Sequence, residues 1–199
     1  PDYSIYKKHP VLADDNYPMV LITRGCPFSC TYCHNSNQRK IYKGLGTYVR
    51  SFSIDRILAE VESIISYYPN ANAVFLLADT LGSNFAWTAE LLNKYSQRFK
   101  IPYTCNFRPE FITDELIDVL KTTNCHMIAI GIESGSEELR KKLLGRNYSN
   151  ETLYKIAGSL RANKIKFRTY NIVGFPAESK AEMLSTLDVN IRMKPNFPW

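Results

Sequence analysis

The chain has 199 residues, 45% of them hydrophobic, with a formal net charge of +6. That apolar content sustains one sizeable buried core, while no stretch reaches the ~20 apolar residues of a membrane span and the opening Pro1-Asp2-Tyr3-Ser4-Ile5-Tyr6-Lys7-Lys8 lacks the apolar region of a secretory signal. Lys and Arg are scattered, and their densest cluster, Arg140-Lys141-Lys142, reads as a solvated helix face, so neither a membrane nor a nucleic acid is signalled.

Residues 1–16 read as a linker into a core of 17–199. The first strand is expected over Met19 to Arg24, followed by a long loop from about Gly25 to Arg50 with Gly44 and Gly46 as turn residues. Ser53 caps a helix whose Ile54, Ile57, Leu58, Val61, Ile64 and Ile65 form one apolar stripe. Val74-Phe75-Leu76-Leu77 is a strand of the continuously apolar kind. A helix over 84–99, a strand over Tyr103 to Phe107 and a helix capped by Thr113 come next. Met127 to Ile130 is the fourth strand, followed by helices over 136–144 and about 150–163. Phe167 to Val173 is the fifth strand, and a helix over 179–192 is the last element expected. Strict strand–helix alternation predicts a parallel sheet with helices outside. The chain opens on proline and stops after a helix, so it reads as a piece of a longer protein.

The unusual residues fall at one edge of this frame. A cysteine loop follows strand one, Asp79-Thr80 strand two, Arg108 strand three, Gly131-Ile132-Glu133-Ser134-Gly135 strand four, and Gly174-Phe175-Pro176 strand five. Parallel barrels and open α/β sheets place their sites at this C-terminal edge.

The loop reads Cys26-Pro27-Phe28-Ser29-Cys30-Thr31-Tyr32-Cys33, a C-x3-C-x2-C spacing. Iron–sulfur clusters normally take four cysteines. Three leave one iron of a [4Fe–4S] cube without a protein ligand, which points to chemistry at the cluster. Two rivals exist: a zinc site with His34 as fourth ligand, and the haem-attachment pattern Cys30-Thr31-Tyr32-Cys33-His34, which leaves Cys26 unexplained. Cys105 and Cys125 read as buried structural thiols. Five cysteines, three of them crowded together, suit a reducing cytoplasm rather than a disulfide framework.

Arg24 to Cys33 resembles the cluster motif of the radical S-adenosylmethionine (SAM) superfamily, including the aromatic before the third cysteine. Gly131 to Ser136 and Asn171-Ile172-Val173-Gly174-Phe175-Pro176-Ala177-Glu178 resemble two later core motifs, most like those of the branch associated with cobalamin-binding domains and of the methylthiotransferases. The resemblance implies a partial (β/α) TIM-type barrel, of which this chain supplies about five of six units. It implies a [4Fe–4S] cluster on Cys26, Cys30 and Cys33, SAM at the open iron, and reductive cleavage of SAM to start methyl transfer, cyclisation or rearrangement. It also implies an electron donor such as flavodoxin or ferredoxin and, in one branch, cobalamin held by a domain outside the chain. Methylthio transfer to RNA or protein is the alternative chemistry, and a non-catalytic Fe–S scaffold or electron-transfer module the alternative class.

The same resemblance assigns SAM contacts. Tyr32 lies over the adenine, Asp79 receives the methionyl ammonium, and Glu133 with Ser134 nearby meets the ribose hydroxyls. Val173 and Gly174 pass their backbone along the adenine. Asp79 departs from the usual Gly-Gly-Glu, which is Ala78-Asp79-Thr80 here. Arg168, Arg146 and Arg108 compete for the SAM carboxylate, with Arg108 also a candidate for an acidic substrate group.

Overall fold

The computed structural model describes residues 2–199. A short helix α1 (Pro10–Ala13) precedes β1 (Met19–Leu21). The expected single first strand is broken after Leu21, because the chain must leave the sheet to begin the cysteine loop. Its continuation β2 (Thr23–Arg24) pairs antiparallel with β3 (Arg50–Ser51) at the far end of that loop. The loop expected over Gly25 to Arg50 contains a helix, α2 (His34–Ile41). Next come α3 (Ile54–Tyr67), β4 (Val74–Leu81), α4 (Phe85–Arg98), β5 (Tyr103–Phe107) and α5 (Asp114–Thr122). They are followed by β6 (Cys125–Glu133), α6 (Glu137–Lys142), α7 (Asn150–Ala162), β7 (Phe167–Asn171), α8 (Lys180–Met193) and β8 (Phe197–Pro198). Strands β4 and β6 outrun their expected lengths, and β7 stops two residues early.

Local signals explain most helix starts. Asn84, Thr113, Ser136 and Ser149 each accept a backbone N–H from the first turn of the helix they precede, and Ser179 with Glu182 closes a full capping box. The sheet order is β1-β4-β5-β6-β7-β8, parallel throughout. This gives five strand–helix units and the first residues of a sixth strand, a partial barrel.

Alternation along the strands divides the side chains. Val20, Leu76, Cys105, Ile128 and Phe167 face the helices and are almost completely buried. Thr169 also faces outward, donating to Asn190 of α8 at 2.6 Å. The other set faces the bore: Phe75, Thr104, Met127, Ala129, Arg168 and Tyr170 line a cavity whose lower end Tyr17 borders. The residues expected to be linker pack onto α3: Tyr3 is buried and donates to Glu60, and the Tyr68 hydroxyl donates to the Leu12 carbonyl.

Candidate functional site

The cysteine loop is held from four directions. At its entry the Gly25 N–H donates to Asp79 Oδ2 at 2.6 Å. Gly25 has φ +79°, and a β-carbon there would run into the Tyr48 carbonyl, so only glycine allows this approach. Arg39 on α2 reaches back, donating to the carbonyls of Cys26 and Phe28. The Ser36 hydroxyl donates to the Cys30 carbonyl at 2.6 Å, and the Thr31 hydroxyl to the Leu143 carbonyl at 2.5 Å. Asn35 ties the loop inward: its amide donates to Asp79 Oδ1 at 3.1 Å, and its side-chain oxygen accepts from Tyr48 at 2.6 Å.

Each loop thiol meets a different donor. The Thr80 hydroxyl lies 2.6 Å from Cys26 Sγ, Arg108 Nη1 3.0 Å from Cys30 Sγ, and Asn35 Nδ2 3.9 Å from Cys33 Sγ. All five cysteines are free; Cys26 and Cys30 are buried and Cys33 half-buried. Helix α2 begins directly after Cys33 and turns the positive end of its dipole toward the thiol. Donors of this kind suit thiolates, which an iron–sulfur cluster requires, so the loop's chemistry fits that cofactor. Among the described residues no three His, Cys, Asp or Glu side chains converge on one point as around a single metal ion.

The second half of the site lies at the end of β6. Glu133 sits beyond a register shift between β6 and β7 with φ +70°, in the left-handed region that non-glycine residues rarely hold. Its Oε1 accepts from Arg146 Nη1 at 2.6 Å, and Arg146 also donates to the Gly131 carbonyl at 2.7 Å. Gly131 leaves the room: a β-carbon there would strike Glu133 Oε1 and crowd Arg146. Burial pulls the Arg146 pKa down, but Tyr148 and Glu133 outweigh it and hold the guanidinium above its ordinary value. Tyr32 keeps 41% of its surface exposed, yet its hydroxyl reaches toward Glu133. Burial, then the Glu133 carboxylate, pushes that phenol well up.

The remaining residues divide. Asp79 is exposed at the C-terminal end of β4, with both oxygens already accepting from the cysteine loop. Ser134 is fully buried, its hydroxyl accepting from the Ser136 N–H and its carbonyl taken by Arg140 at 2.5 Å, so it faces away from the open edge. Val173 is 62% exposed, and the Gly174 N–H donates to Glu178 at 2.5 Å. Arg168 pairs in register with Ala129 and stands three residues before Asn171, the partner of Glu133, so its backbone lies about 10 Å lower along the strand. Its Nε is buried without a hydrogen-bond partner. Cys105 is buried as expected, whereas Cys125 is only half-buried; burial raises the Cys105 thiol pKa well above its ordinary value and that of Cys125 to about 12. Sequence reasoning missed Asn35, Arg39, Tyr48 and the thiol contact of Thr80. The single available signal was Thr80, a hydroxyl interrupting the apolar end of β4.

A family model described as the Radical SAM superfamily matches residues 20–189. An uncharacterized methyltransferase of Pyrococcus horikoshii is 24% identical over 94% of this chain and 39% of its own length. The ribosomal protein uS12 methylthiotransferase RimO of Lachnoclostridium phytofermentans is 32% identical over 83% of this chain and 38% of its own. The chain thus spans about two fifths of these curated relatives. In fold it is like the radical SAM methyltransferase TsrM of Kitasatospora setae, solved with cobalamin and a [4Fe–4S] cluster, with a TM-score of 0.76 and 16% identity over 92% of this chain and 36% of that one. The match across the cysteine loop, the barrel and the end of β6 establishes that the chain belongs to the radical SAM superfamily.

Proposed function

We propose that the chain is the catalytic core of a radical SAM enzyme that transfers a methyl group to its substrate. The observation that carries this reading is a loop of three free thiols, each with its own donor, beside the Glu133–Arg146 pair at the C-terminal edge of the sheet. Cys26, Cys30 and Cys33 would hold a [4Fe–4S] cluster, which supplies an electron and an open iron at which SAM is bound and cleaved.

The protein's part is binding and orientation. Tyr32 would cover the adenine, with Val173 and Gly174 alongside it. Glu133 would accept from the ribose hydroxyls, fixed in place by Arg146. Asp79 retains lone pairs for the methionyl ammonium and couples that contact to the loop through Gly25 and Asn35. Arg168, on the wall of the bore, would pair with a carboxylate, either that of SAM or an acidic group of a substrate. Cobalamin would be held by a domain outside these residues, as the likeness to TsrM suggests.

Residues 16–54 contain five Lys or Arg and no Asp or Glu. They surround the cysteine loop and expose Ile41, Tyr42 and Leu45, a surface suited to an acidic electron donor such as flavodoxin or ferredoxin. Five free thiols suit a cytoplasmic setting, and among the described residues no helix is long and apolar enough to cross a membrane.

The test is anaerobic reconstitution with iron and sulfide, reduction by dithionite, and addition of SAM. The full-length protein containing this chain is expected to release 5′-deoxyadenosine or S-adenosylhomocysteine. Cys30→Ala is expected to lose the brown colour and SAM cleavage together. Zinc in place of iron, or a Cys30→Ala protein that keeps both properties, overturns the reading. A loaded protein yielding neither product is a scaffold. The 32% identity to a methylthiotransferase favours a second reading, recognised by a sulfur atom arriving with the methyl group on product.

A further inference from the structure

The three loop cysteines are not equivalent. Cys26 meets a neutral hydroxyl, and Cys33 meets a neutral amide at the long distance of 3.9 Å. Cys30 alone meets a cation, Arg108, at 3.0 Å. That guanidinium is confined on three sides. Its Cζ lies 3.7 Å over the Phe28 ring, and Phe28 in turn leans on Phe111 with centroids 5.8 Å apart. Its Nη2 donates to Glu110 Oε1 at 2.6 Å, and its Nη1 faces the sulfur. The side chain is only 10% exposed, and its Nε is buried without a partner. The donor is therefore always charged, nearly dry and fixed in aim.

We propose that Arg108 is a positioning residue that sets the reduction potential of the cluster through the Cys30 sulfur, rather than a ligand for SAM or substrate. This rests on the cluster assignment above. Reduction by one electron makes the cluster more negative. A cation hydrogen-bonded to a ligand sulfur stabilises that reduced state more than the oxidised one, and so raises the potential. Glu110 tempers the effect, because its carboxylate neutralises part of the same guanidinium. The pair gives the protein two handles of opposite sign on one sulfur.

The experiment is a dithionite titration of the reconstituted protein without SAM, followed by electron paramagnetic resonance of the reduced cluster. Arg108→Leu is expected to lower the midpoint potential, Arg108→Lys to lower it less, and Glu110→Gln to raise it. A purely structural role would move all three the same way or lower cluster occupancy alone. If Arg108→Leu fails to load iron, Arg108→Lys and Glu110→Gln carry the opposite-sign test. Unchanged potentials in loaded variants overturn the proposal. So does a tenfold or greater loss of SAM affinity in Arg108→Lys at unchanged potential, which would make Arg108 the carboxylate's partner. A wild-type protein that takes up no reducible cluster sinks the function proposed above, whereas a normal wild type with indifferent variants sinks this inference alone.

Discussion

Glu133 and Arg146 meet at 2.6 Å with their side chains 10% and 4% exposed, and Glu133 holds φ +70° to do so. Taking two charges out of water costs several kcal/mol each, which their attraction only partly returns. Left-handed backbone adds about 1–3 kcal/mol of strain. The fold thus keeps a costly pair at the edge where the cysteine loop also ends. Such an arrangement fits a carboxylate held ready for a polar ligand better than a stabilising device.

Removing one partner should be far worse than removing both. Arg146→Met is expected to cost about 3–5 kcal/mol of stability, because a buried carboxylate is left alone. Glu133→Gln should cost less, since its amide oxygen still accepts from Arg146. The double variant Glu133→Leu with Arg146→Met should recover most of the loss. Urea unfolding of the cluster-free protein measures all three. A double variant no more stable than Arg146→Met alone would show that the two side chains are not coupled.

Gly25 and Gly44 provide a matched comparison in the same loop. Both hold positive φ, +79° and +82°, but a β-carbon at Gly25 meets the Tyr48 carbonyl whereas at Gly44 it meets open space. Gly44→Ala is expected to cost about 1–2 kcal/mol from backbone strain alone. Gly25→Ala should cost more and displace the Asp79 bond, so iron bound per protein should fall with it. Equal iron loading in the two variants would argue against the loop geometry described.

The fold was largely legible because its signals are local. The stripe of α3 and the caps Thr113, Ser149 and Ser179 lie within a few residues of the features they announce, whereas Ser53 stands at the start of α3 but its hydroxyl makes no capping bond. The features missed are made by distant segments. Helix α2 reads His-Asn-Ser-Asn-Gln-Arg-Lys-Ile and has no apolar stripe, so no periodicity reveals it. Strand β8 is two residues including a proline, and exists only because β7 offers an edge. The spacing of the cysteines stands in the sequence itself, but the donors that meet their thiols do not. Thr80, Arg108 and Asn35 come from separate elements that meet only when β4, β5 and α2 converge on the loop. Sequence neighbours put Ser134 beside the ribose contact of Glu133, yet its side chain is fully buried, with its hydroxyl accepting from the Ser136 N–H.

Stability should fall with alkali through Cys125. Burial, partly offset by hydrogen bonds from Tyr103 and the Met127 N–H, raises this thiol from an ordinary value of 9.0 to about 12. Between those values the folded chain holds the proton that the unfolded chain has lost, so stability declines as pH rises above 9. Cys105 adds a contribution of the same sign. Cys125→Ala should remove its part of the slope, measured by urea unfolding across alkaline pH. An identical slope in that variant would locate the titration elsewhere. In the native protein Cys125 should also resist alkylation until urea is added.

Arg39 separates loop rigidity from fold stability. Its guanidinium donates to the Cys26 carbonyl at 2.8 Å, to the Phe28 carbonyl, and to Ser29 Oγ at 3.3 Å, so one side chain braces three successive stretches of the loop. None of these bonds reaches the main sheet or the outer helices. Hydrogen bonds to a charged donor are worth about 1.5–3 kcal/mol, and here that energy opposes local opening rather than global unfolding. Arg39→Met should therefore leave the urea midpoint nearly unchanged. Opening of the loop should become about ten- to hundredfold more frequent, by the usual 1.4 kcal/mol per decade. Two measurements read that change: the rate of proteolytic cleavage near Pro27-Phe28-Ser29, and the rate at which a chelator strips iron from the loaded protein. Arg39→Lys, which keeps the charge but loses the fork that spans two carbonyls, should fall between wild type and Arg39→Met. If the midpoint drops by as much as the opening rate rises, the loop belongs to the cooperative core, and Arg39 stabilises the whole fold.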